Sequence, residues 1–455
     1  MSAIARLMTI AVLVVTPCLP LTGQAWPSES AIRAMITAPV DSGFYAGIAV
    51  GLVARDGTRR VVTYGPHAGV TPFDGSTVFE IASITKTFAA AILADMVTKG
   101  EVALDDPVVK HLPPGTTVPS RGGREITLLD LATQTSGLPR LPGNLVISDS
   151  TNPYADYTIA DLDAFLARYT LPRDIGASYE YSNLGFGLLG RALTHRAGTD
   201  FETMVRQRIL TPLGMNDTRI ALTPEMRRRL APGHAENGTV TANWDFPSLP
   251  AAGALRSTID DMLTYIHANA DSTSTPLGPT LAMTHSARRP AGSPAMQIGL
   301  AWNRVRAPAG HTIVWHNGGS GGYRSFTGYD EATGLGVVVL TNTSRSVDEM
   351  GMHLLDSLVP LPTLRKAVSL PIEELAQYVG TYEIQPGVVF TITRESSQLM
   401  AQITGQPANP IYPSGPGEFF YTVVDATLSF QRDSAGAVTG LVLHQGALTV
   451  PAKRK

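Results

Sequence analysis

A serine and a lysine three residues apart are the first combination along this chain that could do chemistry. In Phe79-Glu80-Ile81-Ala82-Ser83-Ile84-Thr85-Lys86 they fall at the start of a helical pattern. On a helix that spacing stacks both side chains on one face, within hydrogen-bonding reach. A serine hydroxyl is a weak nucleophile until a base takes its proton. A lysine held in a dry site beside other cations has a reduced pKa and can be that base. Backbone N–H groups at the helix start favour negative charge beside Ser83. The pair alone is also what an exposed helix with a capping serine and a solvated lysine contains, so other residues must decide.

Tyr179-Glu180-Tyr181-Ser182-Asn183-Leu184-Gly185 ends an irregular stretch and opens an apolar helix. Tyr181 there can point its hydroxyl into a cleft, where a neighbouring cation would lower its pKa and fit it to carry protons. Asn183 would offer its amide to a substrate carbonyl and to Lys86. A half-buried tyrosine and a capping asparagine are the plainer alternative. A third stretch, Trp315-His316-Asn317-Gly318-Gly319-Ser320-Gly321-Gly322-Tyr323, reads as a strand whose glycines let a substrate backbone approach closely. The Gly319 N–H, with that of Ser83, would make an oxyanion hole. Gly318-x-Ser320-x-Gly322 also matches a nucleophile elbow, but that motif needs a helix after it and another strand follows here.

The elements that must hold these residues follow from the patterning. Tyr45 to Ala54 and Arg59 to Tyr64 predict a hairpin across Asp56-Gly57, and Thr312 to His316, Tyr323 to Gly328 and Leu335 to Thr341 predict three more strands. Between the groups lie helical patterns at Ser83 to Met96, Leu128 to Gln134, Ile159 to Arg168, Leu184 to Arg196, Phe201 to Leu210 and Thr258 to Ala268. The expectation is an α+β domain with an antiparallel sheet flanked by helices. From Ile372 the texture becomes short strand-like runs between turns, a separate small all-β unit. The 455 residues, 44% hydrophobic and 16% charged, are ample for both. A net charge of -3 without a long basic run gives no sign of a nucleic-acid partner. Lys453-Arg454-Lys455 reads as a solvated tail.

Residues 1–25 read as a cleavable secretory signal, with Arg6, an apolar run from Leu7 to about Leu21, and Gly23-Gln24-Ala25 as the cleavage site. The run is too short for stable membrane insertion. Export to the bacterial periplasm or medium is expected, with the mature chain starting near Trp26. The only cysteine, Cys18, lies in that signal, so the mature chain has no disulfide. Lipid attachment at Cys18 is the lesser alternative, because Pro17 fits such a site poorly.

Together Ser83-x-x-Lys86, Tyr181-Ser182-Asn183 and His316-Asn317-Gly318, in this order, resemble the serine β-lactamase and penicillin-binding-protein superfamily, in its class C β-lactamase, DD-peptidase and esterase branch. Ile126 to Pro139, Pro212 to Met215 and Ala251 to Met262 resemble its scaffold, and Glu374 to Glu383 resembles the start of a lipocalin-like C-terminal barrel. The resemblance implies a β-lactamase/transpeptidase-like fold with a helical subdomain over 26–359, a linker over 360–371 and the barrel over 372–455. It implies Ser83, Lys86 and Tyr181 as catalytic residues, with Asn183, His316, Asn317, Gly318 and Gly319 binding substrate or oxyanion. Arg345 is a further candidate for a substrate carboxylate. No metal or cofactor is implied. The expected substrate is a D-Ala-D-Ala peptide from peptidoglycan or a β-lactam, with short-chain esters as the alternative and a non-catalytic peptidoglycan-binding role as a third. Where many class C β-lactamases carry lysine, and DD-peptidases and esterases of the family often carry histidine, this chain has His316, whose charge would fade above a pKa of about 6.5. The order of proton transfer between Lys86 and Tyr181, the barrel's role and the oligomeric state stay open.

Overall fold

The computed structural model describes residues 26–65, 72–361, 365, 367–406, 408–421, 426–445 and 448–455, so the expected signal and Cys18 lie outside the described residues. Ten strands belong to the first unit: β1 Ile48–Val53, β2 Arg59–Tyr64, β3 Val78–Glu80, β4 Arg256–Thr258, β5 Arg289–Ala291, β6 Ser293–Ile298, β7 Asn303–Arg306, β8 Thr312–Gly319, β9 Arg324–Asp330 and β10 Gly336–Thr341. Eight form an antiparallel sheet in the order β2-β1-β10-β9-β8-β7-β6-β5, and β3 pairs with β4 apart from it.

Both faces of the sheet are covered, which is why β1 and β10 are buried at every position. Val50, Leu52, Val337 and Val339 share a core with Ile32, Ile36 and Leu354 of the helices Glu29–Asp41 and Asp348–Leu355. Ala49, Val53, Val338 and Leu340 join the other core, with the helix Ile259–Ala270 and the helical subdomain. The helix Thr85–Thr98 is apolar almost all round and runs through that second core, so Lys86 on its first turn is carried into the interior.

The three strands between 289 and 306 escape the sequence pattern. Arg289-Pro290 and Ser293-Pro294 break apolar alternation, and a register shift separates Pro290 from Ala291, features that suit the edge of a sheet.

From Gly380 to Arg454 eight strands pair each with the next, and the first and last close the barrel. Its interior is a packed core of Tyr382, Phe390, Ile392, Leu399, Phe419, Leu428, Phe430 and Leu441, joined by Leu375 and Tyr378 of the preceding helix Ile372–Tyr378. Eight strands leave an interior just wide enough for side chains. Three barrel strands were not read from sequence: Gly380–Gln385, Asn409–Gly415 and Leu448–Arg454. The last corrects the tail but not its solvation: Lys453, Arg454 and Lys455 are exposed, yet the first two belong to a strand. Lys453 and Arg454 pair with Glu383 and Tyr382 across the closing seam, Arg454 Nη2 donates to the Val379 carbonyl at 2.7 Å, and Lys455 pairs with Glu383 at 2.8 Å. Closure satisfies backbone groups that an edge would leave open, and this outweighs the polarity of the tripeptide.

Candidate active site

Ser83 is delivered by a tight turn rather than directly by an α-helix. Ala82 adopts φ 45°, a left-handed conformation disfavoured for alanine, as the first residue of the 3₁₀ turn Ala82–Ile84 that follows β3 and leads into Thr85–Thr98. The turn is held by Ile81 N–H to Leu255 O at 3.1 Å and by Ser325 Oγ donating to Ile81 O at 2.9 Å. Gly318 makes the approach of β8 possible. A Cβ there would stand 2.2 Å from Ile81 O and 3.1 Å from Ser83 N, so any larger residue would push the strand off the nucleophile.

Lys86 is fully buried, and its Nζ donates to Ser83 Oγ at 2.9 Å and to Ala252 O at 2.6 Å. It also lies 4.8 Å from the Tyr181 ring centre. Burial, and then the nearby Arg140 guanidinium, holds the Lys86 amine well below the usual lysine range. Tyr181 is fixed from both sides by Gln134, whose carbonyl accepts from Glu180 N at 2.8 Å and whose side-chain Oε1 accepts from Ser182 N at 2.7 Å. Its phenol lines the same cleft as Ser83, whose hydroxyl favours the charged form. The expected downward shift of Tyr181 does not occur. Burial raises its pKa, and the Ser83 contact and Arg140 offset only part of that.

His316 corrects a second expectation. It faces the interior at 2% exposure, its ring centre 6.4 Å from that of Tyr181, and its Nδ1 lies 2.6 Å from the Asn317 carbonyl. Burial, and then Lys86, pushes it down to about 3, so it is neutral at working pH and offers no titrating cation near pH 6.5. Asn183 is the first residue of the helix Asn183–Ala197, capped by Ser182, and its Nδ2 donates to Tyr154 Oη at 2.9 Å. Lys86 finds its acceptors at Ser83 and Ala252, not at Asn183, whose Oδ1 is buried without a partner among the described residues.

The cleft over Ser83 has a volume of about 470 Å³ and is walled by Tyr181, Asn317, Gly318, Gly319, Trp244 and four charged residues, Arg140, Arg324, Glu236 and Asp348. Arg345 is not among its walls. Strand-like alternation places Ser344 and Ser346 there instead, while Arg345 stacks 4.4 Å from the Phe44 ring centre and donates to Glu236 O at 2.7 Å. The cations that do reach the cleft went unread in the sequence. Arg324 had a signal, because it opens the strand paired with the glycine-ended β8 and stands opposite Gly319. Ser320 lies in the short connection between β8 and β9, so the elbow motif has no helix to serve.

A family model described as "Beta-lactamase" matches residues 32–358. The chain belongs to the beta-lactamase family. Within it, the D-alanyl-D-alanine-carboxypeptidase/endopeptidase AmpH of Escherichia coli is 31% identical over 323 residues, 67% of this chain and 82% of that protein. A penicillin-binding protein of Bacillus subtilis is 24% identical over 411 residues, 83% of this chain and 87% of that one. The crystal structure of a beta-lactamase/D-alanine carboxypeptidase from Yersinia pestis has the same fold, with a TM-score of 0.62 at 24% identity over 73% of this chain and 96% of that one. Family membership supports a serine hydrolase working through an acyl-serine. The C-terminal residues 364–452 match a domain of unknown function, DUF3471.

Proposed function

We propose that the chain is an exported acyl-serine hydrolase of the DD-peptidase type, acting on D-Ala-D-Ala peptides and on β-lactams. The observation that carries it is the buried Lys86 amine, held below its ordinary pKa and bonded to Ser83 Oγ. In the first step Ser83 Oγ bonds to the scissile carbonyl carbon and its proton passes to neutral Lys86. The Ser83 and Gly319 N–H groups receive the oxyanion. Tyr181, its pKa raised, still holds its proton and gives it to the leaving nitrogen as the C–N bond breaks; Lys86 returns a proton to the phenolate. Water then releases the acyl group by the reverse path. The opposite shifts on Lys86 and Tyr181 favour lysine as first base. The 31% identity to a DD-carboxypeptidase/endopeptidase supports the peptide substrate.

A second reading, a carboxylesterase of the same fold, is favoured by the neutral His316, which offers no charge to a substrate carboxylate. Covalent labelling by a fluorescent penicillin and release of D-alanine from a D-Ala-D-Ala peptide test the first. Both should occur in the unmodified chain and vanish in Ser83→Ala. Ester turnover without either would favour the second. Export is tested by the mature N-terminus, expected at Trp26.

A further inference from the structure

In the substrates proposed above the free carboxylate is attached one carbon from the scissile nitrogen, so it falls inside the cleft over Ser83. The wall it meets carries both signs, Arg140 and Arg324 against Glu236 and Asp348. His316 is neutral, and Arg345 turns away to Phe44 and the Glu236 carbonyl. Arg324 is half-buried and its Nη1 is already engaged, donating to Ser320 O at 2.6 Å and Tyr323 O at 2.9 Å, with Glu236 and Asp348 beside it. Asp348 opens the helix Asp348–Leu355 and holds Asn317, the cleft residue of β8, by accepting from its Nδ2 at 2.5 Å.

We propose that Asp348 is a specificity-determining residue of the acyl-serine site, which admits a substrate carboxylate when its own carboxyl is neutral and repels it when ionised. This rests on the acyl-serine reading and deepens it. The carboxyl is half-buried by surface area yet enclosed by protein on nearly every side. Burial, with Glu349 of its own helix adding to it, raises it to about 7 against the opposing pull of the Asn317 amide and Arg324 of β9. Glu236 and Arg140 are the other charged groups of the cleft. Acid pH therefore discharges Asp348 while a substrate carboxylate, with a pKa near 4, stays ionised. Two like charges in one partly screened cleft repel enough to change binding on the order of tenfold.

The test uses two activated esters with the same acyl group, one with a m-carboxyphenol leaving group and one with m-carbamoylphenol. The ratio of their kcat/KM values cancels titrations of Lys86 and Tyr181 common to both. In the unmodified full-length chain the carboxylate-to-carboxamide ratio should fall about tenfold between pH 6 and pH 8. In Asp348→Asn, which can keep a hydrogen bond to Asn317, it should stay flat at the acid-pH value. A flat ratio in the unmodified chain, or the same fall in Asp348→Asn, would overturn the proposal, and the first can be read without any variant. Turnover of the carboxamide ester that survives Ser83→Ala would instead overturn the acyl-serine reading.

Discussion

Replacing Gly318 by alanine should separate the oxyanion strand from the nucleophile. The added Cβ would stand 2.2 Å from Ile81 O and 2.4 Å from Ser325 Oγ. Ordinary carbon-to-oxygen contact needs roughly 1 Å more than that in an interior packed to crystal density. Neither neighbour can turn aside, since Ile81 O is backbone and Ser325 Oγ is bonded to it. The strand and the Ile81-Ala82-Ser83 turn must therefore part by about 1 Å. A displacement of that size between reacting groups costs about a hundredfold in rate, and overpacking costs roughly 1–3 kcal/mol of stability. The assay is kcat/KM on a chromogenic ester together with the thermal midpoint. Gly319→Ala is the comparison for stability, because the nearest atoms its Cβ would meet belong to the Arg324 side chain, at 3.1 Å. It should cost less in Tm than Gly318→Ala. Gly318→Ala within threefold of the parent's kcat/KM would refute the reasoning.

Lys86→Met should lower kcat/KM by about 10²–10⁴-fold while leaving Tm unchanged or raised, because a buried amine is exchanged for an apolar chain of similar volume. In the parent, kcat/KM should rise with pH as Lys86 sheds its proton, along a limb well below the ordinary lysine value; a limb near 10.5 would count against it. Gln134→Ala removes the side-chain acceptor of Ser182 N but keeps the main-chain carbonyl that holds Glu180 N, so it frees the backbone on one side of Tyr181 and should lower kcat by about tenfold with a smaller effect on KM, which steady-state kinetics would show. His285, buried between Asn269 Oδ1 at 2.8 Å and Tyr329 Oη at 2.9 Å, is pushed down to about 3. Its unfolded form binds a proton below about 6.5 that the folded form refuses, so its contribution to stability is lost as pH falls. The stability gap between the parent and His285→Gln should close by about 1.4 kcal/mol per pH unit below 6.5, read by denaturant unfolding, and a constant gap would contradict this.

The nucleophile and its base were legible because their relation is local: three residues of covalent spacing at a helix start fix the Ser83–Lys86 contact. Tyr181 was legible by place but not by titration, since the burial that raises its pKa comes from residues far off in the sequence. The same holds for His316, whose charge depends on how deeply β8 sinks between β9 and the Ser83 turn. Arg345 was misplaced by one step of alternation, which put Ser344 and Ser346 in the cleft and the guanidinium on Phe44. Apolar runs revealed the central strands, while proline-broken edge strands such as Arg289–Ala291 and the charged closing strand Leu448–Arg454 carry no such signature.

The position of β1 in the sheet has a consequence for how the chain reaches this state. Its partner β10 arrives very late, and Thr341 closes onto the Gly47 carbonyl from 294 positions away. Closing so long a loop precedes any reward from the contact, so the hydrolase unit should fold slowly. Until β10 is available the hairpin of β1 and β2 carries a fully apolar open edge, Ile48–Val53, that could pair with another chain. The barrel, which pairs each strand with the next, should gain its order sooner. Refolding of the whole chain should therefore be biphasic, with the hydrolase sheet setting the slow phase and the concentration at which aggregation competes.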